Sequence, residues 1–432
     1  AWALLANTVY WHGRAGHIPV DEGKRRSREY LARALELDPE LSEAHALAIF
    51  IVAWEDDDFE AARRSFEKAV EYGPSNMWAY MHFGRMLNSR GQYAEAVEVL
   101  SKGLQLYSYK PEPWLRMSLG DAYIGFGDYG AGMRLYATNY AESKGSPREG
   151  QRIVALGIAA LSNARYDEGL AGLEIARRDG HDSLSVSMGM AHALLALGDV
   201  DAAGVEIARA EAIMAEERAA GRTQNSTFAH IEDARWQYDI ATQNIKNQVL
   251  QANRFIEVAD ADEERHWSVN ALYDAAIRCI VIGRYDAAAR LMDRLTEKIR
   301  DPENFALAAF VNQKLGNTDK YQYYLDEGRV VLDEYMTDRT PTMDAWEWIA
   351  LVEAVHGRTD EAIHSLQQAY DLGLLNHAYL TYMPAFDSVR EDPRFIELLR
   401  KMRADTKAMN ERVDAARRTG DWESLIARHF ED

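Results

Sequence analysis

Turns recur along this chain at a near-constant interval. Gly91-Gln92-Tyr93, Gly127-Asp128-Tyr129, Ala164-Arg165-Tyr166 and Gly198-Asp199-Val200 begin 36, 37 and 34 residues apart. A period of that length is one helix-turn-helix per repeat. Such a unit cannot bury its apolar face alone and must stack on its neighbours. Residues 113 to 139 show the plan most plainly. Leu119, Gly120 and Tyr123 share one side of a first helix, Gly127-Asp128-Tyr129 breaks it, and Gly132, Tyr136 and Asn139 line a second. Three- and four-residue spacing puts each set on one helix face.

The same plan extends in both directions. Residues 1–16 and 21–37 read as a first hairpin, with Trp2, Leu5, Val9 and His12 on one stripe and Leu31, Ala34 and Leu35 on the other. Ala44, Leu47, Ala48 and Ile51, then Ala62, Phe66 and Ala69, mark a second. Tyr80, Phe83, Gly84 and Leu87, then Ala96, Leu100 and Gly103, mark a third. Gly84 and Ala96 let its two helices approach closely, so a bulky side chain at either should overpack the contact by about 1–3 kcal/mol. Two further units follow the opening stretch, one around Leu156, Gly157, Gly169 and Leu173, the other around Met190, Leu194, Ala203 and Ile207.

The register then loosens. Ala219 to Thr227 is polar and reads as a loop, and residues 228–258 read as two long helices without a consensus turn. The next clear turn, Gly283-Arg284-Tyr285, comes 85 residues after Gly198. Units around Ala275, Cys279 and Met292, around Ala308, Gly316 and Leu325, and around Ile349, Gly357 and Leu366 restore the pattern. The reading divides the chain into an N-terminal array (1–212), an irregular hairpin or hinge (213–268), a C-terminal array (269–402) and charged capping helices (403–432).

These residues resemble tetratricopeptide repeats over nearly the whole chain. The resemblance implies an all-α fold, an α-solenoid of stacked helix-turn-helix hairpins forming a right-handed superhelix, with the first (A) helix of each hairpin lining a concave groove. LELDPELSEAHALAIFIVAWEDDDFEAARRSFEKAVEYGPS and PAFDSVREDPRFIELLRKM further resemble C-terminal repeat modules of bacterial signalling and transcriptional regulators. In that group the module follows a DNA-binding or nucleotide cyclase domain, which this chain does not contain. Some tetratricopeptide proteins hold a peptide carboxylate with two Lys, two Asn and one Arg. The matching positions here carry His45, His82, Arg85, Trp114 and Ser118, so the clamp is absent.

Composition narrows the function. The net charge of −20 repels phosphate backbones and argues against nucleic acid. The basic run Lys24-Arg25-Arg26 reads as a solvated helix face. The longest apolar run, Ala46 to Trp54, is nine residues, too short to span a bilayer. Cys279 is the only cysteine, which suits a reducing, cytoplasmic setting. The chain opens at Ala1 inside an amphipathic pattern, which reads as a fragment with its natural start upstream.

No catalytic, metal or cofactor site emerges. Gly125-Phe-Gly127-Asp-Tyr-Gly130 matches GxGxxG but interrupts two helices instead of joining a strand to a helix. Asp56-Asp57-Asp58 lacks calcium-loop spacing and reads as a helix cap. Asn225-Ser226-Thr227 fits a glycosylation sequon without secretory context. The twelve histidines show no HExxH spacing; His356 and His364 read as packing residues.

Groove candidates are A-helix residues off the core stripe: His45, Trp78, His82, Arg85, Asn88, Trp114, Met117, Ser118, Asp121 and His192. Exposed aromatics and Arg among hydrogen-bonding groups are what binding hot spots use. A second, more acidic set, Tyr273, Asp274, Phe310, Gln313, Glu347 and Trp348, suits a basic segment. The expected function is a non-enzymatic scaffold that binds a protein or peptide segment, with homodimer formation through array ends left open. The alternative is a small-molecule sensor that controls a domain outside this chain.

Overall fold

The computed structural model describes residues 1–14, 17–51, 58–106, 112–219, 234–261, 269–337 and 341–431. Among them every regular element is helical, and none is long and apolar enough to cross a membrane. The helices pair into consecutive hairpins, an all-α solenoid construction. They divide into two compact units, Ala1–Lys144 and Gly145–Thr337 with Pro341–Asp432.

The first unit holds four hairpins: α1 (Trp2–Arg14) with α2 (Val20–Leu37), α3 (Ser42–Ile51) with α4 (Phe59–Tyr72), α5 (Met77–Ser89) with α6 (Tyr93–Leu106), and α7 (Pro113–Phe126) with α8 (Tyr129–Ser143). Their turns follow local chemistry. Gly127 caps α7 at φ 101°, a left-handed conformation that costs glycine nothing, and the Asp128 carboxylate accepts from Ala131 N at 2.9 Å to start α8. Asp58 caps α4 in the same way; Asp56 and Asp57 lie outside the described residues. The GxGxxG stretch is this repeat turn. Small residues bring paired helices together: a Cβ on Gly84 would lie 2.3 Å from Leu100 Cγ, and one on Gly132 would lie 2.6 Å from the Gly120 carbonyl oxygen. Between hairpins, Ile49, Phe83, Leu87, Leu100, Leu115 and Leu119 form one buried cluster, with Phe66 stacked on Phe83 at 4.3 Å. Lys24-Arg25-Arg26 lies on a solvated face, where Arg25 pairs with Glu29 and Arg26 with Glu22.

The second unit begins with α9 (Glu149–Leu161) and α10 (Tyr166–Arg178), then α11 (Leu184–Leu197) and α12 (Val200–Ala219). Here the turn residue Ala164 takes a positive φ, 54°, where other turns use glycine. Next come α13 (residues 234–241) and α14 (Ile245–Ala261). The sequence reading found no turn in this stretch; the structure has one, with Gln243 at φ 54°. Asn244 N donates to the Asp239 carbonyl at 2.8 Å, and the Asp239 carboxylate accepts from Asn244, Asn247 and Gln251. Side-chain hydrogen bonds thus do what glycine does elsewhere, which hid the turn. The sequon Asn225-Ser226-Thr227 and Phe228 lie outside the described residues.

Three regular hairpins follow: α15 (Val269–Val281) with α16 (Tyr285–Lys298), α17 (Pro302–Leu315) with α18 (Thr318–Met336), and α19 (Met343–Val355) with α20 (Thr359–Asp371). Cys279 is fully buried in the first of these, and burial pushes its thiol up to about 12, so it is an inert core residue. His356 bonds the Val352 carbonyl, and His364, exposed at the surface, meets Trp346 edge-on.

The end of the unit departs from expectation. A charged, solvated cap from residue 403 was expected. Instead, after the short α21 (His377–Tyr382), a single helix, α22 (Pro393–Thr419), runs through that boundary and is followed by α23 (Glu423–Ile426). Its apolar stripe, Leu398, Met402, Met409 and Val413, is buried. Its charges meet the start of the same unit. Arg412 donates to Asp167 at 2.7 Å, Arg417 to Asp199 at 2.6 Å, and Arg178 to Glu423 at 2.6 Å. Buried Glu168 pairs with Arg428 and with His429, whose Nε2 lies 2.8 Å away. The run of hairpins therefore returns on itself, with α22 and α23 packed on α10 and α11.

Candidate functional site

Two surfaces built from A helices stand out, one in each unit. In the first unit an aromatic row crosses α1, α3 and α5. The Trp11 ring lies 5.5 Å from Phe50, Phe50 lies 5.1 Å from His82, and His82 stacks on Trp78 at 5.8 Å. His82 is buried between its neighbours, and that burial, with Arg85 adding to it, pushes its imidazole down to about 3. The ring is therefore neutral at ordinary pH and acts as an aromatic. Trp78 and Trp114 are 46% and 51% exposed. Arg85 lies half-buried between these tryptophans in sequence and acts electrostatically on both His82 and Asp121. Asp121 accepts from the Tyr136 hydroxyl at 2.5 Å. Burial in the groove wall raises its carboxyl despite that bond and despite Arg85.

The sequence-derived candidates divide here. Trp78, His82, Arg85 and Asp121 come together, and Asn88 joins α5 to α7 by donating to the Ser118 carbonyl at 2.8 Å. Ser118 itself is buried and its hydroxyl returns to the Trp114 carbonyl, so its side chain is not on the surface. Met117 is half-buried beside them. His45 is also buried: its Nε2 bonds the Pro39 carbonyl at 2.8 Å and its ring packs on Tyr72. The histidine closes a loop instead of facing a groove. His192 belongs to the second unit, exposed and edge-on to Tyr166.

The second unit holds an open cleft of about 350 Å³. Trp236 of α13, Tyr273, Asp274 and Arg278 of α15, Glu303 of α17, Asp344, Glu347 and Trp348 of α19, and Tyr379 and Tyr382 of α21 line it. Glu303 Oε1 accepts from the Tyr273 hydroxyl at 2.6 Å and from the Tyr379 hydroxyl at 3.2 Å. Burial, reinforced by Asp301, still raises the Glu303 carboxyl to about 7. Glu347 is pushed to about 8 by burial and by the neighbouring Glu303 and Asp344. Its Oε1 is shut off from water with no hydrogen-bond partner among the described residues. Asp344 is open to the cavity yet walled by protein, and burial raises it too.

Of the acidic candidates read from sequence, Tyr273, Asp274, Glu347 and Trp348 line this cavity. Phe310 does not: it is core, edge-on to Tyr285. Gln313 is exposed and is not among the lining residues. Sequence reasoning missed Trp236, Arg278, Glu303, Asp344 and Tyr379. Glu303 and Asp344 sit in the first turns of α17 and α19, where acids ordinarily serve the helix dipole. Among the described residues no group of three His, Cys, Asp or Glu side chains is arranged to hold a metal ion.

A family model described as "Tetratricopeptide repeat" matches residues 47–111, which span the second and third hairpins. This match and the hairpin construction support a tetratricopeptide repeat protein. None of the curated proteins compared matches the chain. Among solved structures, the chain is similar to PilW, titled a widely conserved type IV pilus biogenesis factor, at 18% identity and TM-score 0.41, covering 49% of this chain and 91% of that one. It is similar to a tetratricopeptide repeat protein from Parabacteroides merdae ATCC 43184 at 15% identity and TM-score 0.38, covering 67% and 97%. It is also similar to pilF of Pseudomonas aeruginosa at 14% identity and TM-score 0.38, covering 48% and 88%.

Proposed function

We propose that this chain is a non-enzymatic scaffold that binds a protein or peptide segment along the A-helix face of its first unit. The observation that supports this reading is the pair of half-exposed tryptophans, Trp78 and Trp114, placed on successive A helices. A large aromatic left in water on each of two adjacent repeats gains apolar contact when a segment covers it. Arg85 supplies charge selectivity. Its guanidinium favours a carboxylate, so the segment it suits carries an acidic residue beside apolar ones. The matched family model covers Trp78 and Arg85.

The test is selection from a displayed peptide library by the whole chain, followed by affinity measurement on the enriched peptides. Enriched sequences should pair an acidic residue with aromatic or aliphatic ones. A Trp78→Ala, Arg85→Ala, Trp114→Ala variant of equal helicity should bind them at least about tenfold more weakly. Equal affinity for variant and wild type would remove the proposed site from this face.

A further inference from the structure

We infer that the cavity of the second unit is a binding site for an organic cation, an ammonium or guanidinium group seated against Glu303, Glu347 and Asp344. The inference stands on the second unit alone and does not depend on segment binding by the first. Its starting point is the charge of the walls. Four carboxyl side chains, Asp274, Glu303, Asp344 and Glu347, face one volume of about 350 Å³, and among the described residues Arg278 is the only basic one lining it. Carboxyls gathered round one partly buried cleft repel one another and lose hydration unless a positive charge joins them.

Two buried polar atoms point to a bound molecule. Glu347 Oε1 is an acceptor without a donor, and the indole Nε1–H of Trp236 is a donor without an acceptor, among the described residues. Trp236 is 2% exposed and lines the same cavity. Buried groups of this kind are rarely left unpaired in a folded protein. A ligand carrying N–H donors at its cationic end satisfies Glu347, and an acceptor elsewhere on it satisfies Trp236.

The remaining walls fit the same chemistry. Tyr273 and Tyr379 both donate to one oxygen of Glu303, which fixes that carboxylate in orientation. Their rings, with that of Trp348, line the cavity, and aromatic faces attract ammonium and guanidinium groups. A volume of this size sits at the lower end of small-molecule sites and admits a molecule of amino-acid size or one basic side chain.

The experiment uses the whole 432-residue chain. Thermal melting and titration calorimetry would be run with agmatine, putrescine, arginine, a short peptide with one central arginine, and its glutamine counterpart, each to about 10 mM at matched ionic strength. At least one cation should raise the melting temperature by about 2 °C or more. Its affinity should fall about tenfold or more in Glu347→Gln and in Glu303→Gln, and remain unchanged in the surface variant Arg25→Ala. Tyr379→Phe, which removes only a hydroxyl, serves if a Gln variant melts abnormally, and should weaken binding less. Binding of the free amines identifies a small-molecule source. Binding of the arginine peptide but not its glutamine counterpart or the free amines identifies a side chain of a protein segment. No response to any cation, an equal response to magnesium chloride, or undiminished binding in folded variants overturns the assignment.

Discussion

The two units are made of the same hairpin, yet one presents an open aromatic face and the other holds an acidic cleft. In the first unit, charge at the candidate site is sparse: Arg85 and Asp121 among Trp11, Phe50, His82, Trp78 and Trp114. In the second, four carboxyls and one guanidinium share one space. The hairpins themselves do not explain the contrast, since both units pack small residues at their helix crossings. A second difference is closure. The second unit's last helices return to its first hairpin through Arg412–Asp167, Arg417–Asp199 and the Glu168 cluster. Within the cavity, burial raises the carboxyls of Glu303, Asp344 and Glu347.

The largest test of that contrast removes the closure. Glu168 is buried and holds both Arg428 and His429, so Glu168→Ala removes the acceptor that ties residues 428 and 429 to α10. A loss of about 3 kcal/mol is expected. Hydrogen exchange should quicken first in residues 166–197 and 393–429. Unchanged exchange there would show that apolar packing alone holds α22 in place.

A second test concerns what the units share. Gly84→Val forces a side chain into Leu100, which is fully buried and has nowhere to move. About 2 kcal/mol of destabilisation is expected from chemical denaturation, as for other overpacked cores. A neutral result would mean that α5 and α6 separate freely, against the close contact described.

The third test sets the units against each other by pH. Glu303 and Glu347 stand at about 7 and about 8 against an ordinary 4.5, so the folded state keeps protons that the unfolded state has released. Their contribution is complete below about pH 4.5 and is lost as pH rises through 7 and 8. The groups around them are Asp301 on α17, Asp344 on α19, Tyr273, Asp274 and Arg278 on α15, and Tyr379 and Tyr382 on α21. His82 has the opposite sign. Held at about 3 against an ordinary 6.5, beside Arg85, it contributes fully above pH 6.5 and loses that contribution as pH falls. Calorimetry should show Glu347→Gln raising the melting temperature at pH 8 by about 2–4 °C, and His82→Phe flattening the acid side. Equal pH profiles for wild type and both variants would contradict these environments.

The smallest effect is expected on the surface. Arg25→Ala breaks an exposed pair with Glu29 and should cost less than about 0.5 kcal/mol by denaturant titration. A larger loss would mean that Lys24-Arg25-Arg26 is more than a solvated face.

Much of the fold was legible because its turns are written in glycine and its crossings in small residues. Gln243 was not legible, since a positive φ on a glutamine is supported by Asp239, a relation that no spacing displays. The sites were legible only where they lie on one helix or two adjacent ones. Trp78, His82 and Arg85 follow from helical periodicity. His45 and Ser118 share that stripe and yet are buried, because an A helix packs on both flanks and only a narrow part of its polar side reaches water. Four of the six acidic-set residues line the cavity, but Glu303 and Tyr379 are 76 residues apart in sequence and meet only in the tertiary structure. Their partnership is tertiary, which sequence periodicity does not encode.

That closure also orders events in time. Hairpins of a linear array can fold as each leaves the ribosome, since every repeat needs only its neighbour. Glu168 must wait for His429, 261 residues later. At about 5–20 residues per second, this interval is on the order of 10–50 s of synthesis. Throughout it Asp167, Glu168 and Asp199 at the start of the second unit stand without Arg412, Arg428 and Arg417.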